Sequence, residues 1–360
     1  MLKPGRLYYN AKYACNLRKP VLMLRVIKNL FLAAVLRRKV LRYCDINVTS
    51  RCNLHCEHCF AVNFEKNGKQ PLSIEEYASI SKQIQKLGNM MVGFTGGEPI
   101  LCRDLEKIIE VFEPKKNYIS LITNGTLLNE SKIKRYKEIG VDILTVSLDS
   151  GIPEEHDAFR GWNGAFKRTL DNIQLALKHG LKVAAVCTVT HKSVRSEGLQ
   201  RLINLTKNLR IMLILGLISP AGKYINRDEN LLTKEDIKYI DDVTRQYAHV
   251  RRDWETNYVK KGCGAAKEKL YITQYGEVMT CPFIHVSFGS IRDTEVAEIR
   301  RKMLALPVFA SYPKKCLAAE DKEFMKQYMK PCFEKKEHPI DIKEIQEIMA
   351  QVERGKKNVQ

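Results

Sequence analysis

The stretch RCNLHCEHCF, residues 51–60, contains three cysteines in the spacing Cys-x3-Cys-x2-Cys, namely Cys52, Cys56 and Cys59. A structural zinc site or a closed iron–sulfur cluster normally has four protein ligands. Three thiolates on one short loop therefore predict a metal centre with one coordination position left for another molecule. The loop by itself leaves an alternative open, in which His55 or His58 completes a Cys3His zinc site.

A second informative stretch follows downstream. Residues 90–94, MMVGF, form a short apolar run with strand character, and the run leads into Thr95-Gly96-Gly97-Glu98-Pro99. Glycines let the backbone approach a ligand closely, and Glu98 places a carboxylate beside them. The pattern predicts a binding turn at the end of a strand.

The pairing of CNLHCEHC with TGGEP resembles the radical S-adenosylmethionine (radical SAM) superfamily. The resemblance implies that Cys52, Cys56 and Cys59 hold three irons of a [4Fe–4S] cluster, and that SAM binds the fourth iron through its amino and carboxylate groups. It also implies that Gly96, Gly97 and Glu98 hold the methionine amine and that His58 lies beside the adenine. The two motifs together favour this interpretation over a zinc site.

From Tyr43 onward, strand and helix patterns alternate through six units. Such alternation predicts a parallel sheet with right-handed crossovers, whose functional residues lie at the carboxyl ends of the strands. The fold class expected is α/β, a partial (β/α)6 barrel of the radical SAM type. Asn124, Ser147 and Asp149 follow two later strands and are predicted to contact the SAM ribose or carboxylate, although ordinary turn and capping roles are the alternative.

The last third of the sequence departs from this rhythm. A β-hairpin pattern at residues 269–279 has Cys263 and Cys281 at its feet. This part resembles the SPASM/twitch extension of radical SAM enzymes, which implies a second, auxiliary [4Fe–4S] cluster with Cys316 and Cys332 as further ligands. The Cys-x2-Cys pair of a full SPASM region is missing after Cys281, so one auxiliary cluster is expected, with an uncoordinated Cys332 as the alternative.

The expected organisation has four parts: a basic amphipathic arm (1–42), a radical SAM core (43–225), a hairpin/helix auxiliary-cluster region (226–330) and a charged tail (331–360). The chain has 360 residues, 44% of them hydrophobic, which is enough for a packed core. Its eleven cysteines without a secretory signal indicate a reducing compartment and a cytoplasmic location.

The net charge of +19 is concentrated near the start, where residues 1–44 contain eleven Lys or Arg and no acidic residue. Residues 20–36 predict an amphipathic helix that is too charged to span a bilayer. It suits the anionic inner face of a membrane, or else packs its apolar side on the barrel with its lysines in water. Nucleic acid is disfavoured because no recognition motif accompanies the charge.

The resemblance implies an enzyme that cleaves SAM reductively to a 5′-deoxyadenosyl radical, which then abstracts hydrogen from a substrate. A one-electron reductant such as flavodoxin or ferredoxin would be its partner. The SPASM/twitch resemblance favours a peptide or protein substrate, and the basic arm favours a membrane lipid or isoprenoid. A hypothesis of another class is a non-catalytic iron–sulfur electron carrier or scaffold, against which the Gly-Gly-Glu turn argues.

Overall fold

One sheet of eleven strands organises the part of the chain described by a computed structural model, residues 4–14, 16, 18–66, 68–253 and 262–357. The strands, β1 to β11 in chain order, are Tyr43–Asn47, Met91–Thr95, Tyr118–Thr123, Ile143–Ser147, Lys182–Val189, Met212–Leu217, Val250–Arg252, Lys269–Ile272, Glu277–Met279, Val286–Ser290 and Ile340–Asp341. Their order across the sheet is β11-β10-β9-β8-β1-β2-β3-β4-β5-β6-β7.

The α-helices of the described residues, α1 to α13, are Pro4–Ala14, Pro20–Ala34, Ile74–Lys86, Leu105–Val111, Glu130–Glu138, Pro153–Arg160, Ala165–Lys178, Glu197–Asn208, Lys234–Gln246, Val296–Ala305, Pro307–Ala310, Lys322–Phe324 and Ile342–Lys357. Side-chain caps start several of them. Ser73 begins α3 with a reciprocal capping box to Glu76, and Asn129 and Ser196 accept backbone N–H bonds at the starts of α5 and α8. These caps satisfy amide groups that a helix start leaves without partners.

The predicted partial barrel is confirmed, because β1 to β6 are parallel neighbours in chain order. Two additions were not predicted. The short strand β7 extends the barrel beyond β6 after α9, and the eight-residue helix α6 is inserted between β4 and α7. The predicted hairpin is β8 and β9, which pair antiparallel.

The hairpin is part of the barrel sheet, since β8 pairs in parallel with β1 from Tyr43↔Lys269 to Ile46↔Ile272. The strands on the two sides of the expected boundary at 225/226 therefore share one backbone hydrogen-bond ladder. A single large hydrophobic core also runs from the barrel into this region, including Ile46, Leu270 and Ile299, each fully buried.

A second, smaller core cluster closes the amino-terminal end of the barrel. There Tyr13 of α1 and Leu22 of α2 pack against residues near the starts of three strands, Tyr118, Ile143 and Ala184. The α2 helix thus lies at the end of the barrel opposite the cysteine loop. No helix among the described residues combines the length and the apolarity that crossing a membrane requires.

Candidate cluster and cofactor sites

The cysteine loop and the Gly-Gly-Glu turn are joined by main-chain hydrogen bonds at the carboxyl ends of β1 and β2. Gly97 N donates to Thr49 O at 2.7 Å, and Glu98 N donates to Arg51 O at 2.8 Å. A Cβ on Gly97 would lie 2.5 Å from Ser50 O and overlap the carbonyl of Arg51. The turn therefore needs glycine because the backbone of the cysteine loop lies directly against it.

The three loop cysteines lie close enough for their charges to interact. The pKa of Cys52 is raised to about 11, mainly by burial and in smaller part by the charges of Glu98, Cys56 and Cys59. Burial also raises the pKa of Cys59, with Cys56 adding to the effect. Thiolates that repel one another in a partly desolvated loop are stabilised by cationic iron, so this donor set fits a cluster.

A buried guanidinium that the sequence interpretation missed stands beside these thiols. Arg160, the last residue of α6, donates from Nη1 to the sulfur of Cys56 at 3.7 Å and from Nε to Asp149 Oδ2 at 2.6 Å. Burial by itself raises the pKa of Asp149, but Arg160, followed by His58 and His156, outweighs it and holds the pKa below its usual value. The available signal was His156 and Arg160 at i, i+4, one face of a short helix after Asp149.

His58 lies in the loop as a neutral, stacked ring. Its ring is parallel to that of Phe159, with centroids 4.2 Å apart and an interplanar angle of 13°. Burial, followed by the charge of Arg160, lowers its pKa to about 3. Its Nδ1 is buried without a hydrogen-bond partner. One face of the ring is thus occupied by protein, and contact with adenine through the rest of the ring stays a prediction.

The Glu98 carboxylate is fully buried and accepts hydrogen bonds from residues at the end of the neighbouring strand, β3. It accepts hydrogen bonds from Thr123 Oγ1 at 2.7 Å, from Asn124 N at 2.8 Å and from Ile100 N at 3.2 Å. Burial raises its pKa to about 7. Three of its roughly four acceptor positions are therefore used within the protein, and the predicted contact with the methionine amine stays a prediction.

The remaining predicted rim residues also lie at strand ends. Asn124 is buried after β3, donates to Asn53 Oδ1 in the cysteine loop at 3.0 Å and accepts from Thr126. Ser147 is the half-buried last residue of β4. The predicted residues share one rim, but the side chains of Asn124 and Asp149 bind protein groups that position the cysteine loop.

The second set of cysteines comes together from three separate segments. Burial is the main cause of the raised pKa of Cys316, and the charges of Cys263 and Cys281 follow it. Cys263 N donates to Pro313 O at 2.8 Å, and Cys316 N donates to Glu320 Oε2 at 2.9 Å. The first bond joins the segment before the hairpin to the later segment, and the second fixes the backbone at Cys316 within that later segment.

Cys332 lies elsewhere, which corrects the expected set of four converging cysteines. It is 1% exposed, and its thiol donates to His285 O at 3.6 Å and Tyr328 O at 3.5 Å. Burial raises its pKa to about 12, with a smaller contribution from Glu344, and the other cysteines of the second set are not among the causes. The reason is local: a π-helical turn at Met325–Met329 is followed directly by a 3-10 turn at Lys330–Cys332, and this segment buries the thiol in the main core.

Two lysines, Lys267 and Lys269, lie near the second set and act on the pKa of Cys263. Lys269 is the one that also acts on Cys281. It is the first residue of β8 and lies 3.6 Å from Asp45 Oδ2 and 3.7 Å from Asp253 Oδ2. Its charge partly offsets the effect of burial on Cys281, whose pKa is nevertheless raised to about 12. In the described residues, no group of three or more His, Cys, Asp or Glu is arranged around a single metal ion. Cysteines of a cubane cluster bind different iron atoms.

Comparison with known proteins agrees with this architecture. An Fe-coproporphyrin III synthase of Methanosarcina barkeri is 36% identical over 149 residues, which are 41% of this chain and 37% of the relative. An AdoMet-dependent heme synthase of Oleidesulfovibrio alaskensis is 25% identical over 285 residues, 71% of this chain and 73% of the relative. The chain thus spans little more than a third of the first of these relatives.

The same fold occurs in the crystal structure of Streptococcus suis SuiB bound to its precursor peptide SuiA. The TM-score is 0.61 at 16% identity, covering 82% of this chain and 72% of SuiB. The Radical SAM superfamily model matches residues 46–205, which include the cysteine loop, the Gly-Gly-Glu turn and Arg160. The chain therefore matches the Radical SAM superfamily over residues 46–205, and the cofactors of that superfamily are a [4Fe–4S] cluster and S-adenosylmethionine.

Proposed function

We propose that this chain is a radical SAM enzyme in which Cys52, Cys56 and Cys59 hold the catalytic cluster. The observation that carries the proposal is the clasp between the cysteine loop and the Gly96-Gly97 turn, with Arg160 against Cys56. When bound, the cluster and SAM supply reductive cleavage to a 5′-deoxyadenosyl radical that abstracts hydrogen from a substrate carbon. An electron carrier has no need of a turn built for a second ligand.

Several side chains of the protein position the cysteine loop for the cluster. Arg160 donates a hydrogen bond to the sulfur of Cys56, and Asp149 fixes the direction of the guanidinium. His58 stays neutral at physiological pH, so it adds a flat ring without adding charge. Asn124 holds Asn53, and through it the loop, against the end of β3. Together these contacts preorganise the loop before any cofactor binds.

The direct test is anaerobic purification, determination of iron and sulfide, and assay of 5′-deoxyadenosine after addition of dithionite and SAM. We expect about eight irons per chain, four for each [4Fe–4S] cluster. Cys56→Ala should abolish deoxyadenosine, whereas Cys102→Ala, which changes a cysteine outside both sets, should not. Clusters without SAM cleavage would return the chain to the carrier or scaffold class, and stoichiometric zinc would overturn the cluster assignment.

The substrate we propose is a peptide or protein. The convergence of Cys263, Cys281 and Cys316 supports it, because it matches the SPASM/twitch pattern that first suggested such a substrate. A tetrapyrrole carboxylate is the second candidate, because two sequence relatives are named a coproporphyrin and a heme synthase. The membrane lipid or isoprenoid alternative has the basic arm as its support.

One assay distinguishes the three candidate substrate classes. Deoxyadenosine release is measured with a peptide fraction, a lipid extract or iron coproporphyrin III added to the reduced enzyme and SAM. We expect the peptide fraction to raise turnover above the substrate-free rate and to yield a peptide altered in mass only with the wild-type chain. Stimulation by the porphyrin alone, or by the lipid extract alone, would replace the peptide assignment.

A further inference from the structure

The outward side of α2 carries large apolar side chains in contact with solvent. Eleven large hydrophobic residues are exposed in the described part of the chain, and nine of them lie between residues 7 and 36: Leu7, Tyr8, Val21, Leu24, Ile27, Leu30, Phe31, Val35 and Leu36. Isolated exposed hydrophobic residues are ordinary, but a contiguous group marks an interaction surface. Leu24 is 68% exposed and Phe31 53%.

The polar side of α2 faces the barrel. Arg25 Nη1 donates to Lys116 O at 2.7 Å, and Asn29 Nδ2 donates to Gly88 O at 2.6 Å. Lys19, just before the helix, donates to Gly140 O at 3.0 Å and pairs with Asp142. Several of these acceptors follow the ends of α3 and α5, where helix carbonyls attract cations.

This arrangement decides between the two interpretations of the arm. The packed alternative requires the apolar side of the helix on the barrel and its cations in water. In α2 the structure instead exposes most of the large apolar side chains and turns Arg25 and Asn29 toward the barrel, although Leu22 and Val26 pack inward and Lys28 is exposed. Because the inward hydrogen bonds fix the rotation of the helix, its apolar side cannot turn into the core without breaking them.

Basic side chains border the exposed apolar residues. Arg37, Arg38 and Lys39 follow α2 directly and are exposed, as is Lys28 within the helix. Residues 1–44 contain no acidic residue that could neutralise them locally. An apolar helix side bordered by cations matches the boundary between acyl chains and anionic headgroups, where both kinds of group are stabilised.

The position of α2 separates this surface from the chemistry. The helix packs at the amino-terminal ends of β3, β4 and β5, whereas the cysteine loop leaves the carboxyl end of β1. A five-residue strand is roughly 17 Å long at about 3.3 Å per residue. A surface that contacts α2 therefore meets the barrel at the end away from the cysteine loop.

We propose that the outward side of α2, with Arg37, Arg38 and Lys39, docks the chain on an anionic membrane surface while the cysteine loop faces the aqueous phase. The apolar side chains enter the headgroup boundary and the basic residues contact lipid phosphates. The arm is then an anchor and not a substrate entrance. Membrane binding would accordingly not favour a lipid substrate, which deepens the proposed function by placing substrate access on the water side.

Vesicle flotation of the cluster-loaded full chain tests this proposal. We expect flotation with vesicles of phosphatidylcholine and phosphatidylglycerol, weaker flotation with phosphatidylcholine alone, and release by added salt. Leu24→Glu/Phe31→Glu and, separately, Arg37→Glu/Arg38→Glu should each lower the vesicle partition coefficient by about tenfold or more. Unchanged iron content establishes that these variants are folded.

Matched controls isolate the surface. Arg301→Glu/Lys302→Glu reverses two exposed adjacent basic residues on α10 and gives the same net charge as the arm variant. Val62→Glu replaces an exposed apolar residue outside the arm. Both should float like the wild type, and so should Cys56→Ala, because docking does not require radical chemistry. Loss of deoxyadenosine formation with intact flotation would therefore count against the proposed function alone.

Two results would overturn the proposal. One is equal flotation of the wild type and Leu24→Glu/Phe31→Glu, which would place lipid binding elsewhere. The other is absence of flotation together with a dimer in analytical ultracentrifugation that Leu24→Glu/Phe31→Glu converts to a monomer. In that case the exposed side of α2 is covered by a second copy of the chain.

Discussion

The two cysteine sets are built in opposite ways. Cys52, Cys56 and Cys59 belong to one loop, so their sequence spacing carries most of their geometry. The hairpin set takes Cys263, Cys281 and Cys316 from three segments that meet only in the folded chain. A ligand set on one loop can be identified from the sequence, whereas a set drawn from distant segments can be identified only when the tertiary structure is known.

The sets also differ in the charge beside them. Arg160 contacts Cys56 through a direct hydrogen bond and is held by a buried, ionised Asp149. Lys269 acts on Cys281 at longer range and shares its charge with Asp45 and Asp253. The loop set thus depends on a buried ion pair, and the hairpin set depends on a more diffuse arrangement.

The largest expected effect concerns ligand membership in the hairpin set. Cys316→Ser should remove about four of the irons per chain and leave SAM cleavage at the loop set intact. Cys332→Ser is the matched variant, since it changes a buried thiol outside the set, and it should leave the iron content unchanged. Iron and sulfide analysis measures both. Equal iron loss in the two variants would show that Cys332 reaches the cluster after all.

The next largest effect is expected from breaking the ion pair between Arg160 and Asp149 beside the cysteine loop. Arg160→Leu leaves Asp149 buried without its partner and should lower the free energy of unfolding by about 3–5 kcal/mol, measured by urea denaturation. Lys269→Leu should cost less, because burial already raises the pKa of Asp45 to about 6, so that this carboxyl can take up a proton. A larger loss for Lys269→Leu would reverse the comparison.

The same pair predicts a pH dependence. The folded-state pKa of Asp149 is lowered, so its stabilising contribution is present above the usual Asp pKa and is lost as the pH falls through the folded value. In Arg160→Leu, burial without the guanidinium raises this pKa, and stability should increase on acidification instead. Unfolding curves between pH 2 and 7 should show the wild type losing stability below the usual Asp pKa of 3.8 and the variant gaining stability as the pH falls toward that value, and parallel curves would contradict the assignment.

The clasp on the loop set gives an intermediate effect. Gly97→Ala places a Cβ against the carbonyls of Ser50 and Arg51 and should destabilise the chain by about 1–3 kcal/mol while weakening SAM binding. Gly216→Ala is its control, because the added Cβ would be 3.7 Å from Cys187 O, an ordinary contact. Equilibrium dialysis with SAM and thermal unfolding measure the pair, and equal behaviour of the two would exclude the clasp.

The smallest effect is expected at Glu98. Its pKa of about 7 exceeds the ordinary 4.5, so the folded state retains a proton that the unfolded state loses, and stability declines as pH rises between these values. Glu98→Gln should remove this slope. It should also cost free energy of unfolding, at the lower end of about 1–3 kcal/mol, because an amide NH2 would face a donor at Thr123 or Asn124. Thermal unfolding at pH 5 and pH 7 provides the measurement.

Sequence could predict the barrel because each strand and helix has its own periodicity and its own cap, as at Asn129 and Ser196. It could place Glu98, Asn124 and Asp149 at one rim because parallel strands end together. It could not show that these side chains bind protein groups, since Thr123 and Arg160 reach them through tertiary packing. Sequence could not predict the position of Cys332 or the outward direction of the apolar residues of α2 either, because both depend on contacts between distant segments.

The pairing of β8 with β1 has a consequence for any attempt to shorten the protein. Residues 43–225 were expected to form a separate core, yet removing the region after 225 would strip β1 of one of its two neighbours. Fully buried Cys44 and Ile46 would then lie on an open sheet edge directly before the cysteine loop. Open edges of this kind pair with other chains, so the fragment should aggregate. In the full chain, strand β8 covers this edge and protects the barrel from such pairing.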